Sequence, residues 1–223
     1  MTQLKYFLFF CFGYLVTYAQ QMPKDFSYVK DIAPSIKKEL RYCSHNNFVG
    51  IPVDGYKEPV LITSTQTAKA LKKVQDELLK KGLCLKIFDA YRPQRAVNHF
   101  VRWARVPNDT LTKKQYYPNL NKRNLFKLGY IASKSGHSRG SSIDLTIVDL
   151  KTNKELDMGS PYDFFGKISH VWYKDITKKQ KENRMLLRNV MLKHGFKPYS
   201  NEWWHFTLRN EPFPKTYFNF PIQ

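Results

Sequence analysis

Residues 129–148 read GYIASKSGHSRGSSIDLTIV, a glycine-punctuated loop running into an apolar, β-branched stretch. The second half, 141–148, has the residue types of a half-buried strand. His137 and Asp144 lie seven positions apart, so on one unbroken strand they would face opposite sides. Gly136 and Gly140 allow the chain to bend before the strand begins, which can turn both side chains to one point. Ser141 and Ser142 are small enough to leave room for close backbone approach. Taken alone, the segment reads as easily as a structural loop feeding a core strand.

The surrounding sequence supplies the elements that such a strand would pack against. Residues 64–82 predict a helix: Ala68, Leu71, Val74 and Leu78 recur at helical spacing, a Ser/Thr cluster leads in and Gly82 stops it. Residues 83–88 alternate like a strand and end at Asp89. Pro93 then suits the first turn of a second helix with Val97, Phe100, Val101 and Ala104 on its apolar side. A third helix is expected over 175–194, with Leu186, Leu187, Val190 and Met191 inward and Gly195 as its stop. Residues 202–208 form a last strand rich in aromatic and β-branched side chains. Helices and strands mix without a regular βαβ rhythm. The expectation is therefore one α+β domain, a mainly antiparallel sheet flanked by helices, with the reactive residues at the sheet face.

The chain has 223 residues, enough for one substantial core, and carries a formal charge of +19. The basic residues are scattered as pairs such as Lys37-Lys38, Lys80-Lys81 and Lys178-Lys179, and no nucleic-acid-binding motif accompanies them. They read as a solvated basic surface, and no nucleic-acid partner is expected. Residues 1–19 read as a signal peptide: Lys5 is followed by an apolar run from Tyr6 to Val16, and Thr17 and Ala19 precede a plausible cleavage point. The run is short for a membrane span, so the mature domain, 20–223, is expected to be exported to the periplasm or beyond without stable membrane insertion. Of the cysteines outside that segment, Cys43 and Cys84 could form one disulfide in an oxidising compartment or stand as two small buried thiols.

Two histidines have company that could do chemistry. His137 has Asp144; His205 ends the run Glu202-Trp203-Trp204-His205, in which a carboxylate lies three residues from an imidazole between large aromatics. Those tryptophans are expected to shape a partly dry cleft. Two imidazoles and one carboxylate, with a position left open, is the ligand set of catalytic zinc, and the remaining Glu202 can serve as a base. Arg92, just after a strand end in Asp89-Ala90-Tyr91-Arg92-Pro93, presents a fixed cation that could reach a developing oxyanion.

These residues sit in an ordered set of motifs that resembles the D-alanyl-D-alanine dipeptidases, the VanX-type zinc metallopeptidases. The likeness runs over residues 42–220. It includes Val53-Asp54-Gly55-Tyr56, DAYRPQRAVNHF from Asp89, Tyr116-Tyr117-Pro118-Asn119, the 129–146 stretch, Met158-Gly159-Ser160 with Asp163, EWWHF from Glu202 and EPFPKTYFNFP from Glu211. The resemblance implies one zinc ion on His137, Asp144 and His205, Glu202 as catalytic base and Arg92 on the scissile carbonyl. It also implies Asp163 as receiver of the substrate ammonium, with Ser135, Tyr42 and Asp89 as further substrate-pocket positions. The implied substrate is the small dipeptide D-Ala-D-Ala, with a zinc D,D-carboxypeptidase acting on wall peptides as the alternative. A non-catalytic zinc module is disfavoured because both Glu202 and Arg92 are present.

Overall fold

Seven strands and five helices can be followed in a computed structural model that describes residues 21–223; the expected signal peptide lies outside the described residues. In chain order they are β1 (Phe26–Tyr28), α1 (Val29–Ile32), β2 (Lys37–Lys38), β3 (Ile62–Ser64), α2 (Thr65–Leu79), β4 (Leu83–Asp89), α3 (Gln94–Ala104), α4 (Lys113–Tyr116), β5 (Ser142–Asp149), α5 (Lys178–Lys193), β6 (Phe196–Tyr199) and β7 (Glu202–Leu208). No helix among the described residues is long and apolar enough to cross a membrane.

The predicted helices are present, each a little shorter than its sequence pattern. In α2 the Ser64 hydroxyl accepts from the Thr67 N–H, and the helix stops at Leu79 because the chain turns through Gly82 at φ +68°. In α5 the start falls at Lys178 rather than near Asp175. Thr177 and Gln180 close a capping box there, satisfying two free amide groups at once. Pro93 occupies the capping position of α3, one residue before its first turn.

Five strands form the main sheet in the order β2-β4-β5-β7-β6, antiparallel except for the short β2–β4 pair. The mixed α+β expectation holds. The parallel edge and the separate β1–β3 ribbon were not legible in the sequence, because strands of two or three residues carry no periodicity. One face of the sheet is packed by helices: Leu71, Val74 and Leu78 of α2 and Leu187, Val190 and Met191 of α5 share a cluster with Leu85, Ile87, Ile143, Leu145 and Ile147. At about 0.8 kcal/mol per buried CH2, this interleaved layer is the principal driving force that holds the sheet. The other side carries an aromatic cluster built around Tyr42, Phe48, Phe100, Trp103 and Phe165.

A single irregularity sets up the functional face. Ile87 pairs with Leu145, but Asp89 pairs with Asp144, so Phe88 is an extra residue on β4. Without that bulge Asp89 would stand opposite Ile143. With it, Asp89 lies across from Asp144, which itself lies across from His205. Three polar residues from β4, β5 and β7 thus form one row across the sheet. Cys43 and Cys84 are free thiols, which decides the disulfide question for the folded domain. Cys84 is buried, with its Sγ 3.2 Å from the Ser35 carbonyl oxygen, while the Cys43 Sγ is 3.5 Å from that of Glu58.

Candidate active site

The 129–148 stretch bends as the glycines suggested. Gly136 to Arg139 make one tight 3-10 turn, opened by the Ser135 hydroxyl accepting from the His137 N–H at 3.3 Å and closed by Gly140 at φ +80°. The glycines are required for space as well as conformation. A Cβ on Gly140 would meet the Phe26 ring at 2.4 Å, and one on Gly136 would meet the Ser142 hydroxyl at 2.4 Å. Backbone bonds fix the turn on two sides: Arg92 N–H donates to the His137 carbonyl and Phe218 N–H to that of Ser138. Arg139 adds a bidentate pair with Glu211 at 2.7 and 2.8 Å.

This turn delivers His137 onto the row of the sheet. His137 Nε2 is 3.2 Å from His205 Nδ1 and 3.3 Å from Asp144 Oδ1, and His205 Nδ1 is 3.0 Å from that same oxygen. Three donors at the corners of a tetrahedron with metal bonds near 2.0–2.1 Å would be separated by about 3.3 Å, so the triangle fits a zinc ion without rebuilding. It is also the metal-competent group of His, Cys, Asp and Glu found among the described residues. The far ring nitrogen of His137 lies 2.7 Å from the Ala90 carbonyl oxygen. That contact requires the proton on Nδ1 and leaves the Nε2 lone pair pointing at the shared centre.

The electrostatics agree with a ligand set. Burial pushes the Asp144 carboxyl up, but the charges and hydrogen bonds of His137 and His205 outweigh it and hold the group well below the usual carboxylate range. Burial also lowers His137, favouring the neutral imidazole that a metal needs. His205 is lowered by burial too, yet Asp144 more than compensates and raises it. An arriving dication would displace that proton.

Glu202, the first residue of β7, places Oε2 at 3.8 Å from His205 Nδ1, beside the triangle rather than at one of its corners. Burial raises its carboxyl to about 7, with Asp144 adding to the rise and His205 and Arg92 opposing it. Arg92 donates from Nε to Asp89 Oδ2 at 2.8 Å, and its Nη2 lies 3.4 Å from Asp144 Oδ2. The guanidinium also lies over the Tyr42 and Phe100 rings at 5.2 and 5.1 Å, which fixes its plane.

A cavity of about 290 Å³ opens onto these groups and is lined by Tyr42, Arg92, Ser135, His137, Asp144, Asp163, Glu202 and His205, among others. Asp163, also on its wall, is buried and accepts a 2.9 Å hydrogen bond from the Tyr42 hydroxyl. Its backbone sits at φ +62°, a region that Asp tolerates better than most side chains. Burial, then repulsion from Asp144, raises its carboxyl well above the usual range, and Arg92 opposes the rise without cancelling it.

Asp89 and the two tryptophans lie away from the cavity wall. Asp89 does not line the cavity: it stands behind Arg92, 1% exposed, and accepts from the Tyr56 hydroxyl at 2.7 Å, so its contacts are with the protein. The tryptophans do not wall the cleft either. His205 faces the cavity, so its neighbour Trp204 turns into the helix-packed core, and Trp203 donates from Nε1 to Ser160. Tyr42, Phe48, Phe100, Tyr130, Phe165 and Tyr199 supply the aromatic wall instead. Sequence reasoning missed Tyr162, whose hydroxyl lies 3.2 Å from Asp144 Oδ2; its only signal was adjacency to Asp163.

The chain also matches an established family along its described length. The family model described as D-ala-D-ala dipeptidase matches residues 22–223. A D-alanyl-D-alanine dipeptidase of Enterococcus faecium is 41% identical over 198 residues, covering 89% of this chain and 98% of the relative. Proteins of the same name from Streptomyces coelicolor and Enterococcus faecalis are 41% and 42% identical over 201 residues, covering 90% of this chain and 100% of each. A match of that extent means that the chain belongs to the D-ala-D-ala dipeptidase family of zinc metallopeptidases.

Proposed function

We propose that this chain hydrolyses D-Ala-D-Ala to two D-alanine molecules, using one zinc ion held by His137, Asp144 and His205. The observation that carries the reading is the pairing of two features in one small cavity: a donor triangle with an adjacent carboxyl, and a second buried acid, Asp163, on the same wall. At about 290 Å³ the cavity lies at the small end of ligand pockets, which suits a dipeptide.

When bound, zinc supplies Lewis acidity, polarising the scissile carbonyl and lowering the pKa of a water. The protein's residues do the rest. Asp163 and the Tyr42 hydroxyl receive the substrate ammonium, and Ser135 stands at the cavity wall for the carboxylate end. Arg92 donates to the oxygen on which negative charge develops. Glu202 takes the proton from the attacking water and passes it to the leaving amine, a double duty suited to a carboxyl near 7. Blocking the ammonium would leave Asp163 buried and unpaired, which disfavours longer peptides.

Comparing free D-Ala-D-Ala with its N-acylated form, with and without a chelator, tests the reading. Turnover of the free dipeptide that vanishes on chelation is expected; preference for the acylated form would replace it with a D,D-carboxypeptidase. Residues 1–19 also support action outside the cytoplasm, on dipeptide released from the wall rather than on the cytoplasmic pool. A fusion reporter that stays cytoplasmic would reverse that assignment.

A further inference from the structure

Between the buried acid and the metal ligands runs a chain of hydroxyl groups. Tyr42 OH is 2.9 Å from Asp163 Oδ2 and 3.1 Å from Tyr162 OH, and Tyr162 OH is 3.2 Å from Asp144 Oδ2. All four side chains are buried. Tyr162 does not line the substrate cavity, so its hydroxyl reaches the reaction only through these neighbours. Its ring is clamped face to face on Phe88 at 4.4 Å and edge-on to Trp204 at 5.5 Å. Phe88 is the bulge residue that aligns Asp89 with Asp144, so the clamp and the row of polar residues have one origin.

The hydrogens in this chain can be counted. Three oxygen–oxygen contacts need three hydrogens, and two tyrosines supply two. With Asp163 charged, one contact is left without a hydrogen, and an ammonium group that donates to Asp163 takes over the place of the Tyr42 hydroxyl there and frees its hydrogen. Tyr42 then turns its own hydrogen to Tyr162, and Tyr162 commits its hydrogen to Asp144 Oδ2. That oxygen is the one turned away from the two imidazoles, since Oδ1 faces both. Filling the ammonium pocket therefore fixes a donor on the outer oxygen of a metal ligand.

We propose that Tyr162 is a positioning residue that links ammonium recognition to the metal centre through Asp144. The link to the ammonium rests on the dipeptidase reading, whereas the hold on Asp144 does not.

The test uses the full chain and Tyr162→Phe, which keeps the stacked ring and removes only the hydroxyl. Zn2+ alone is titrated against a competing chelator, and D-Ala-D-Ala kinetics are then measured on both proteins. Loss of an outer partner of a metal ligand should weaken zinc affinity about 10-fold and lower kcat about 10-fold, with KM little changed. In the Tyr162→Phe background, Tyr42→Phe should cost less in kcat than it does alone, because both act in one chain. Unaltered zinc affinity, or kcat losses that simply multiply, would overturn the proposal. A packing role predicts that outcome, since the ring stays in place. If the parent protein binds zinc but does not cleave the dipeptide, the functional reading fails while the zinc titration still decides Tyr162.

Discussion

Replacing Glu202 by Gln preserves the size and position of the side chain and removes its capacity to accept a proton. The magnitude follows from where the carboxylate stands. Its Oε2 is 3.8 Å from His205 Nδ1, whereas the edges of the donor triangle are 3.0–3.3 Å, so Glu202 is outside the ligand set but within reach of a water at the open corner. Burial brings its carboxyl to about 7, so near neutral pH it can both accept and return a proton. A general base so placed contributes about 10²–10⁴-fold, or roughly 3–5 kcal/mol of barrier. The loss should fall on kcat, because the dipeptide's ends are held by other residues. The base works deprotonated, so parental activity should rise with pH through an ionisation at or below about 7; a bound dication favours the charged carboxylate and moves that limb lower. The Gln variant should lack the limb. The assay is amine release from D-Ala-D-Ala across pH, alongside zinc content per chain. A Gln variant that keeps full zinc and more than about a tenth of parental kcat would refute the assignment.

Chelation should abolish turnover and also lower the melting temperature, because an ion bound only by the folded state stabilises it, by ~2.7 kcal/mol at a hundred times its Kd; unchanged melting would mean the triangle holds no ion. Asp163→Asn should raise KM for the free dipeptide yet raise Tm at neutral pH. The folded-state pKa of Asp163 lies above its unfolded value, so its ionisation costs stability as pH rises from the unfolded pKa towards the folded one, and Asn removes that cost. The gain should be ~1 kcal/mol or more, about 2–4 °C by calorimetry, and should vanish in acid. Gly140→Ala combines strain at φ +80° with a 2.4 Å clash on Phe26, and should cost at least ~1–2 kcal/mol in denaturant melts together with weaker zinc binding.

The sequence by itself determined the elements long enough to carry a period, namely α2, α3, α5, β4, β5 and β7, because burying one face imposes a regular spacing of apolar residues. It also marked the candidate residues, since His137, Asp144, Glu202 and His205 lie in two compact motifs. Each motif alone could have been structural. Only the tertiary structure decided that they meet. The meeting depends on one extra residue at Phe88 and on a 3-10 turn ended by a left-handed glycine, and neither feature has a periodic signature. It likewise decided side-chain direction: Trp204 points into the core because His205 points out, and Asp89 braces Arg92 rather than touching the cavity. Tyr162 shows the limit most clearly. Its hydroxyl matters through oxygens at Tyr42 and Asp144, 120 and 18 residues away in sequence, and no local pattern encodes a contact made across the fold.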